Sequence, residues 1–171
     1  TDGAGTISVS SLASLTGAMK KLDVADYNGD GDQDIVVLMT AGLRLLDNNG
    51  SEVFTDSGIS TPSDGTDLIT GDFNSDVLPD LVISENAADI VKFLPNSTIT
   101  TASPATFGTF SNSSTGGALG AGEIDFGDID EDGNLDLAVV LTGVTESMIM
   151  YGDGAGAFTP GYRFSGADDI K

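Results

Sequence analysis

A nine-residue pattern of oxygen-bearing side chains occurs three times in this chain, and each copy runs directly into an apolar segment. Asp26-Tyr27-Asn28-Gly29-Asp30-Gly31-Asp32-Gln33-Asp34 precedes Ile35-Val36-Val37-Leu38. Asp72-Phe73-Asn74-Ser75-Asp76-Val77-Leu78-Pro79-Asp80 precedes Leu81-Val82-Ile83, and Asp128-Ile129-Asp130-Glu131-Asp132-Gly133-Asn134-Leu135-Asp136 precedes Leu137-Ala138-Val139-Val140. From Asp26 to Asp72 is 46 residues and from Asp72 to Asp128 is 56. Repeats of about 40 to 50 residues are the mark of solenoids and propeller blades.

The flanks repeat with the loops. A short run precedes each one: Leu22 to Ala25, Leu68 to Gly71, and Ile124 to Gly127. After each apolar segment comes a second short run, at Leu43 to Leu46, Ile90 to Leu94, and Met148 to Tyr151. Turn residues follow, and then a segment around Phe54, around Phe107 or Phe110, and around Phe158. The runs are short, rich in β-branched residues and bounded by Gly, Asn, Asp and Pro, so each unit reads as four strands. The expected fold is all-β, built of four-stranded antiparallel propeller blades. Expected boundaries are 18–62, 63–116 and 117–162 for three complete blades, with 1–17 the end of a preceding blade and 163–171 the start of a next one.

That division comes from the ends. Asp2-Gly3-Ala4-Gly5-Thr6-Ile7 resembles Asp153-Gly154-Ala155-Gly156-Ala157-Phe158, and Gly166-Ala167-Asp168-Asp169-Ile170 resembles Gly65-Thr66-Asp67-Leu68-Ile69. Closed rings use about 4 to 8 blades. The expectation is therefore a fragment of a larger propeller, or a subunit completed by a neighbour. In the second case the Thr1 to Ser10 strand adds to another copy's sheet edge.

Composition narrows the chemistry. The chain has no Cys and no His, which excludes disulfides, thiolate or imidazole metal ligands, and His-based triads. Six basic residues against 27 acidic ones give a formal charge of −21, which repels phosphate backbones and makes nucleic acid an unsuitable partner. No run of apolar residues is long enough for a transmembrane helix.

Positions 1, 3, 5 and 9 of the loops carry side-chain oxygens: Asp26, Asn28, Asp30 and Asp34; Asp72, Asn74, Asp76 and Asp80; Asp128, Asp130, Asp132 and Asp136. Short carboxylates at alternate positions converge only if the backbone wraps around a point. Each like-charged pair about 4 Å apart then costs about 4 kcal/mol at an effective dielectric of ~20. A divalent cation removes that cost. Hard, oxygen-only donors indicate Ca²⁺, with the carbonyl at position 7 (Asp32, Leu78, Asn134) as a further donor by analogy with other loops of this kind. An EF-hand is the competing explanation. It requires a bidentate Glu at position 12 and flanking helices, whereas position 12 here is Val37, Ile83 or Val139. Acidic β-turns without an ion are the other alternative, since Asp, Asn and Gly favour turns; three in register argue against it. Position 6 is Gly31 and Gly133 but Val77 in the middle loop. A β-branched residue at a positive φ is strained, so about three ions are expected, with the middle site weakest or its loop bent differently.

On these loops, their apolar sequels and the Gly154-Ala155-Gly156-Ala157-Phe158 turn, the chain resembles the FG-GAP repeats of integrin α-subunit propellers and the VCBS repeats of bacterial surface proteins. The resemblance implies Ca²⁺ in the loop joining the first two strands of each blade, and work outside the cell or at its surface in adhesion or ligand binding.

Other motifs carry little. Asp125-Phe126-Gly127 lacks the rest of a kinase, and the Gly152 to Gly156 stretch leads to a strand rather than to a phosphate-binding helix. No pair of Glu residues stands out as a glycosidase couple. The expected function is a calcium-stabilised extracellular scaffold for adhesion or for a protein or carbohydrate ligand, without catalytic activity of its own. The alternatives are a subunit of an extracellular filament or oligomer assembled through edge strands, and an accessory domain of a larger secreted enzyme.

Overall fold

Alternating apolar residues in short segments, each cut off by Gly, Asn or Asp, leave the chain one way to bury its hydrophobic surface: sheets stacked face to face. A computed structural model describes residues 8–9, 15, 17–51, 53–59, 65–99, 104–117 and 119–165. Apart from Ser8–Val9, the expected strand from Thr1 to Ser10 lies outside the described residues, as does the Gly166 to Ile170 segment.

All regular structure among the described residues is β. The first blade is formed by β2 (Met19–Ala25), β3 (Asp34–Met39), β4 (Gly42–Asn48) and β5 (Val53–Asp56). The second is formed by β6 (Gly65–Gly71), β7 (Asp80–Glu85), β8 (Ile90–Leu94) and β9 (Ser111–Ser114). The third is formed by β10 (Ala121–Gly127), β11 (Asp136–Leu141), β12 (Glu146–Gly152) and β13 (Phe158–Ser165). Within each blade the strands follow chain order and pair antiparallel. A short β1 (Ser8–Val9) lies parallel to β5 and gives the first sheet a fifth strand. The three sheets form an arc that does not close on itself.

Alternation assigns the two faces of each blade. Val36 and Leu38 of β3, with Leu43 and Leu45 of β4, pack against Leu68, Leu81 and Ile83 of the second blade. Val82, Val91 and Phe93 of the second blade pack in turn against Ile124, Leu137, Val139 and Leu141 of the third. Each such side chain contributes about 1.5–3 kcal/mol on leaving water, so the interfaces between blades are the core of the protein. Phe73 adds edge-to-face contacts with Phe126 and Phe158, at ring separations of 5.3 and 5.9 Å.

The first strands of the blades lie side by side and are tied by one buried acid. Asp67 takes the Lys21 ammonium at 2.8 Å on one side and the Ile124 amide at 3.0 Å on the other, spanning all three blades. The fourth strand of the middle blade differs in place from the sequence expectation. It forms at Ser111–Ser114, immediately after Phe107 and Phe110, which instead pack into the interface between the first two blades. An outer strand with little to bury needs no apolar residues, so Ser-Asn-Ser-Ser satisfies it.

Candidate metal centre

Each nine-residue loop joins the first two strands of a blade, because β-structure stops where alternating Asp, Asn and Gly begin to bond their own backbone. The loops coil in a common way. The position-1 carboxylate receives amides from across the loop: Asp26 takes Gly29, Asp30 and Gly31; Asp72 takes Asp76 and Val77; Asp128 takes Gly133. Positions 4 and 6 both lie in the left-handed region. At position 4 the φ values are 73° for Gly29, 61° for Ser75 and 62° for Glu131. At position 6 they are 95° for Gly31, 69° for Val77 and 91° for Gly133.

The middle loop therefore bends like its neighbours, and the sequence expectation of a differently bent loop is not met. Its valine absorbs the strain instead. A left-handed L-residue costs roughly 1–2 kcal/mol, and Asn tolerates the conformation far better. Because Val77 is solvent-exposed, Val77→Asn gives up little burial. The substitution is expected to stabilise the protein by about 1 kcal/mol, read as a rise in the urea midpoint at unchanged slope.

Position 9 performs a task that the sequence pattern does not reveal. Asp34, Asp80 and Asp136 are fully buried. Each takes the position-2 amide of its own loop: Tyr27 to Asp34 at 3.1 Å, Phe73 to Asp80 at 3.1 Å, and Ile129 to Asp136 at 2.8 Å. The other carboxylate oxygen takes an amide at the end of the third strand: Asn48 at 2.8 Å, Asn96 at 2.7 Å and Gly152 at 2.9 Å. These aspartates brace the loop to the adjacent end of the third strand. Asn96 extends the brace between blades, its side-chain amide donating to the Tyr27 carbonyl at 2.8 Å.

Two loops gather three carboxylates around one point. Asp72, Asp76 and Asp80 each present an oxygen within 4.8 Å of the other two, and so do Asp128, Asp130 and Asp136. In the third loop Asp132 stays aside and bonds Asn134. Among the described residues the first loop makes no such triad. There the Asn28 amide donates to Asp30 at 3.0 Å and to Asp47 at 2.9 Å, so a neutral amide sits between acids. Asp47 is buried and comes from β4; it lies outside the nine-residue pattern, and only the fold brings it to the loop. Of the position-7 residues, Asp32 and Asn134 set their side chains against Gly50 and Gly154, where a Cβ would collide. Any donor from Asp32, Leu78 or Asn134 toward the loop is then the main-chain carbonyl.

The electrostatics match a cation. Burial pushes Asp34 and Asp80 from an ordinary 3.8 up to about 6, against the lowering effect of the amides that each accepts; nearby Asp47 and Asp30 raise Asp34 further, and Asp76 and Asp72 raise Asp80. Burial likewise raises Asp47. A carboxyl with a raised folded pKa holds its proton more tightly folded than unfolded, so its stabilising contribution is present at low pH and is lost as pH rises through the folded value. In EGTA, the urea midpoint is expected to increase as pH falls from about 6 toward 4. With saturating calcium the ion requires ionised ligands, and the trend is expected to reverse. The same slope in both conditions would contradict a cation at these carboxylates.

Hard oxygen donors, carboxylates held close and backbone wrapped around them fit Ca²⁺ in the second and third loops. When bound there, the ion supplies positive charge and coordination that hold the loop closed. The first loop presents Asp26, Asn28, Asp30, Asp34 and the adjacent Asp47, with the Asn28 amide needing to turn to offer its oxygen.

Comparison with known proteins bears on these loops directly. Residues 26–83, which contain the first two, match the family model of the FG-GAP-like repeat. No curated protein sequence matches the chain. A solved structure of an Agrocybe aegerita lectin, described for its specific recognition of non-reducing terminal N-acetylglucosamine, is similar with a TM-score of 0.53 at 23% identity. The similarity covers 84% of this chain and 37% of the lectin, so this chain spans little more than a third of that protein's length. At that identity the likeness is one of fold.

Proposed function

We propose that this chain is a calcium-stabilised β-propeller module that works outside the cell as a scaffold for ligand binding or adhesion. The observation that carries this reading is the pair of carboxylate triads, Asp72–Asp76–Asp80 and Asp128–Asp130–Asp136, each wrapped in an identically coiled loop between the first two strands of a blade. The match of residues 26–83 to the FG-GAP-like repeat supports it. In this reading the metal is structural: it fixes the loops and, through Asn96 and Asp80, the seating of one blade on the next. Of the two triads the middle one is the weaker, because its loop carries the strain of Val77.

The match to the FG-GAP-like repeat supports work outside the cell; calcium modules of that compartment bind at about 10⁻⁴ to 10⁻³ M. Among the described residues no helix is long and apolar enough to cross a membrane. Carbohydrate is the ligand class we favour, on the shared fold of a sugar-binding lectin. The module takes no catalytic part. Probing immobilised glycans with the labelled chain in calcium and in EGTA tests the proposal. Calcium-dependent retention on a defined set of glycans is the expected result; retention on none of them removes carbohydrate as the ligand.

A further inference from the structure

The dipeptide Asn-Gly occurs twice in the chain, at Asn28-Gly29 and Asn49-Gly50, and the fold treats the two copies oppositely. Asparagine followed by glycine is chemically labile. With no Cβ in the way, the glycine nitrogen reaches the asparagine side-chain carbon and closes a five-membered ring. Both asparagines make the same local turn. The Asn49 side-chain oxygen accepts the Ser51 amide at 3.0 Å, and that of Asn28 accepts the Asp30 amide at 2.9 Å. The ring closed by such a bond encloses the glycine nitrogen, so the reacting atoms are held near each other and the side-chain carbonyl is polarised.

What separates the two is access. Asn28 is 1% exposed, and its side-chain amide donates to Asp30 and Asp47. The Gly29 N–H, which must lose its proton for the ring to close, donates to the Asp26 carboxylate at 2.7 Å, and an anion there opposes that loss. Asn49 is exposed, in the turn between β4 and β5. Gly50 is exposed with it, and its N–H meets a neutral oxygen, that of the Asn48 side chain, at 3.2 Å. We propose that Asn49 deamidates spontaneously in the folded protein while Asn28 is spared, and that the change loosens the first loop. The Gly50 nitrogen gives up its proton and bonds to the Asn49 Cγ, the Cγ–Nδ2 bond breaks, and the amide nitrogen leaves as ammonia. Water then opens the succinimide at one carbonyl or the other, which leaves aspartate or isoaspartate.

The loosening follows from what this turn holds. The Asn48 main-chain amide donates to Asp34 at 2.8 Å and its side-chain amide to the Gln33 carbonyl at 3.1 Å. Gly50 lies so close to the Asp32 carboxylate that a Cβ would collide with it. Either product adds a negative charge to this turn, in a chain already at −21. Isoaspartate also routes the backbone through the side chain and lengthens it by a methylene between the Asn48 and Gly50 contacts. The reaction does not run backwards, so it acts as a record of the molecule's age.

Peptide mapping by mass spectrometry, on chains held for days in mildly alkaline buffer with and without urea, tests this. In the folded chain the amide-to-acid mass gain is expected at Asn49 at least about tenfold faster than at Asn28, where a bond to a charged group must first be broken. In urea both sites are expected to convert at similar rates. Aged folded protein is expected to have a lower urea midpoint than fresh protein. Asn49→Gln, whose longer side chain closes the ring far more slowly, is expected to keep its midpoint through the same treatment. An Asn49 that stays intact in the folded chain, an Asn28 that converts as fast as Asn49 there or stays as slow in urea, or equal midpoints before and after ageing overturns the proposal.

Discussion

Chelating calcium with EGTA is expected to lower the melting temperature of this protein by roughly 10–20 °C. Extracellular calcium modules bind at about 10⁻⁴ to 10⁻³ M. At about 100 times the dissociation constant each site adds about 2.7 kcal/mol to folding, so the two carboxylate triads together add about 5 kcal/mol. In a domain of this size 1 kcal/mol moves the midpoint by about 2–4 °C. Relief of self-repulsion acts in the same direction, since a chain of charge −21 is being partly neutralised. Differential scanning fluorimetry in calcium and in EGTA reads the shift, with magnesium as the control. Equal midpoints in calcium and EGTA would remove the metal from the account of stability.

The second large effect separates bracing from metal binding. Asp80→Ala deletes the acceptor for the Phe73 and Asn96 amides in a fully buried setting. Leaving two buried donors without partners costs about 1–3 kcal/mol each, so a loss of about 3–5 kcal/mol is expected. Because Asn96 also holds the Tyr27 carbonyl, the damage extends into the interface with the first blade. The loss persists in EGTA. Asp76→Ala removes an exposed carboxylate of the same triad, and its expected cost of about 2–3 kcal/mol appears only in calcium. Chemical denaturation of both variants, with and without calcium, decides the matter. Two variants that behave alike in EGTA would mean that position 9 does no more than ligate.

How far the sequence carried this picture follows from the physics of each element. Strands β3, β4, β6 to β8 and β10 to β12 were legible because buried strands must be apolar and loops that bond their own backbone must be Asp, Asn and Gly; β2, largely exposed, was legible only as a copy of the run before each loop. Outer strands carry no such obligation, and β9 at Ser111–Ser114 has no apolar signature. The convergence of Asp72, Asp76 and Asp80 was readable from spacing alone. The bracing role of Asp34, Asp80 and Asp136 was not, since the amides of Asn48, Asn96 and Gly152 come from 14 to 16 residues away. Asp47 was invisible for the same reason: it reaches the first loop through the β3–β4 pairing, which spacing within the loop does not encode. The Val77 expectation was half met. The strained backbone is there, yet the bend is the same, because the amide bonds to Asp72 fix the loop more strongly than a β-branched side chain can distort it.

The function proposed for this protein depends on the carboxylates gathered in the second and third loops holding calcium. A crystal structure grown in calcium tests it most directly, with anomalous difference density measured at a wavelength where calcium scatters. Peaks enclosed by Asp72, Asp76 and Asp80 and by Asp128, Asp130 and Asp136 are expected. Loops coiled as described but without an anomalous peak in either triad, at calcium concentrations well above the millimolar range, would contradict it.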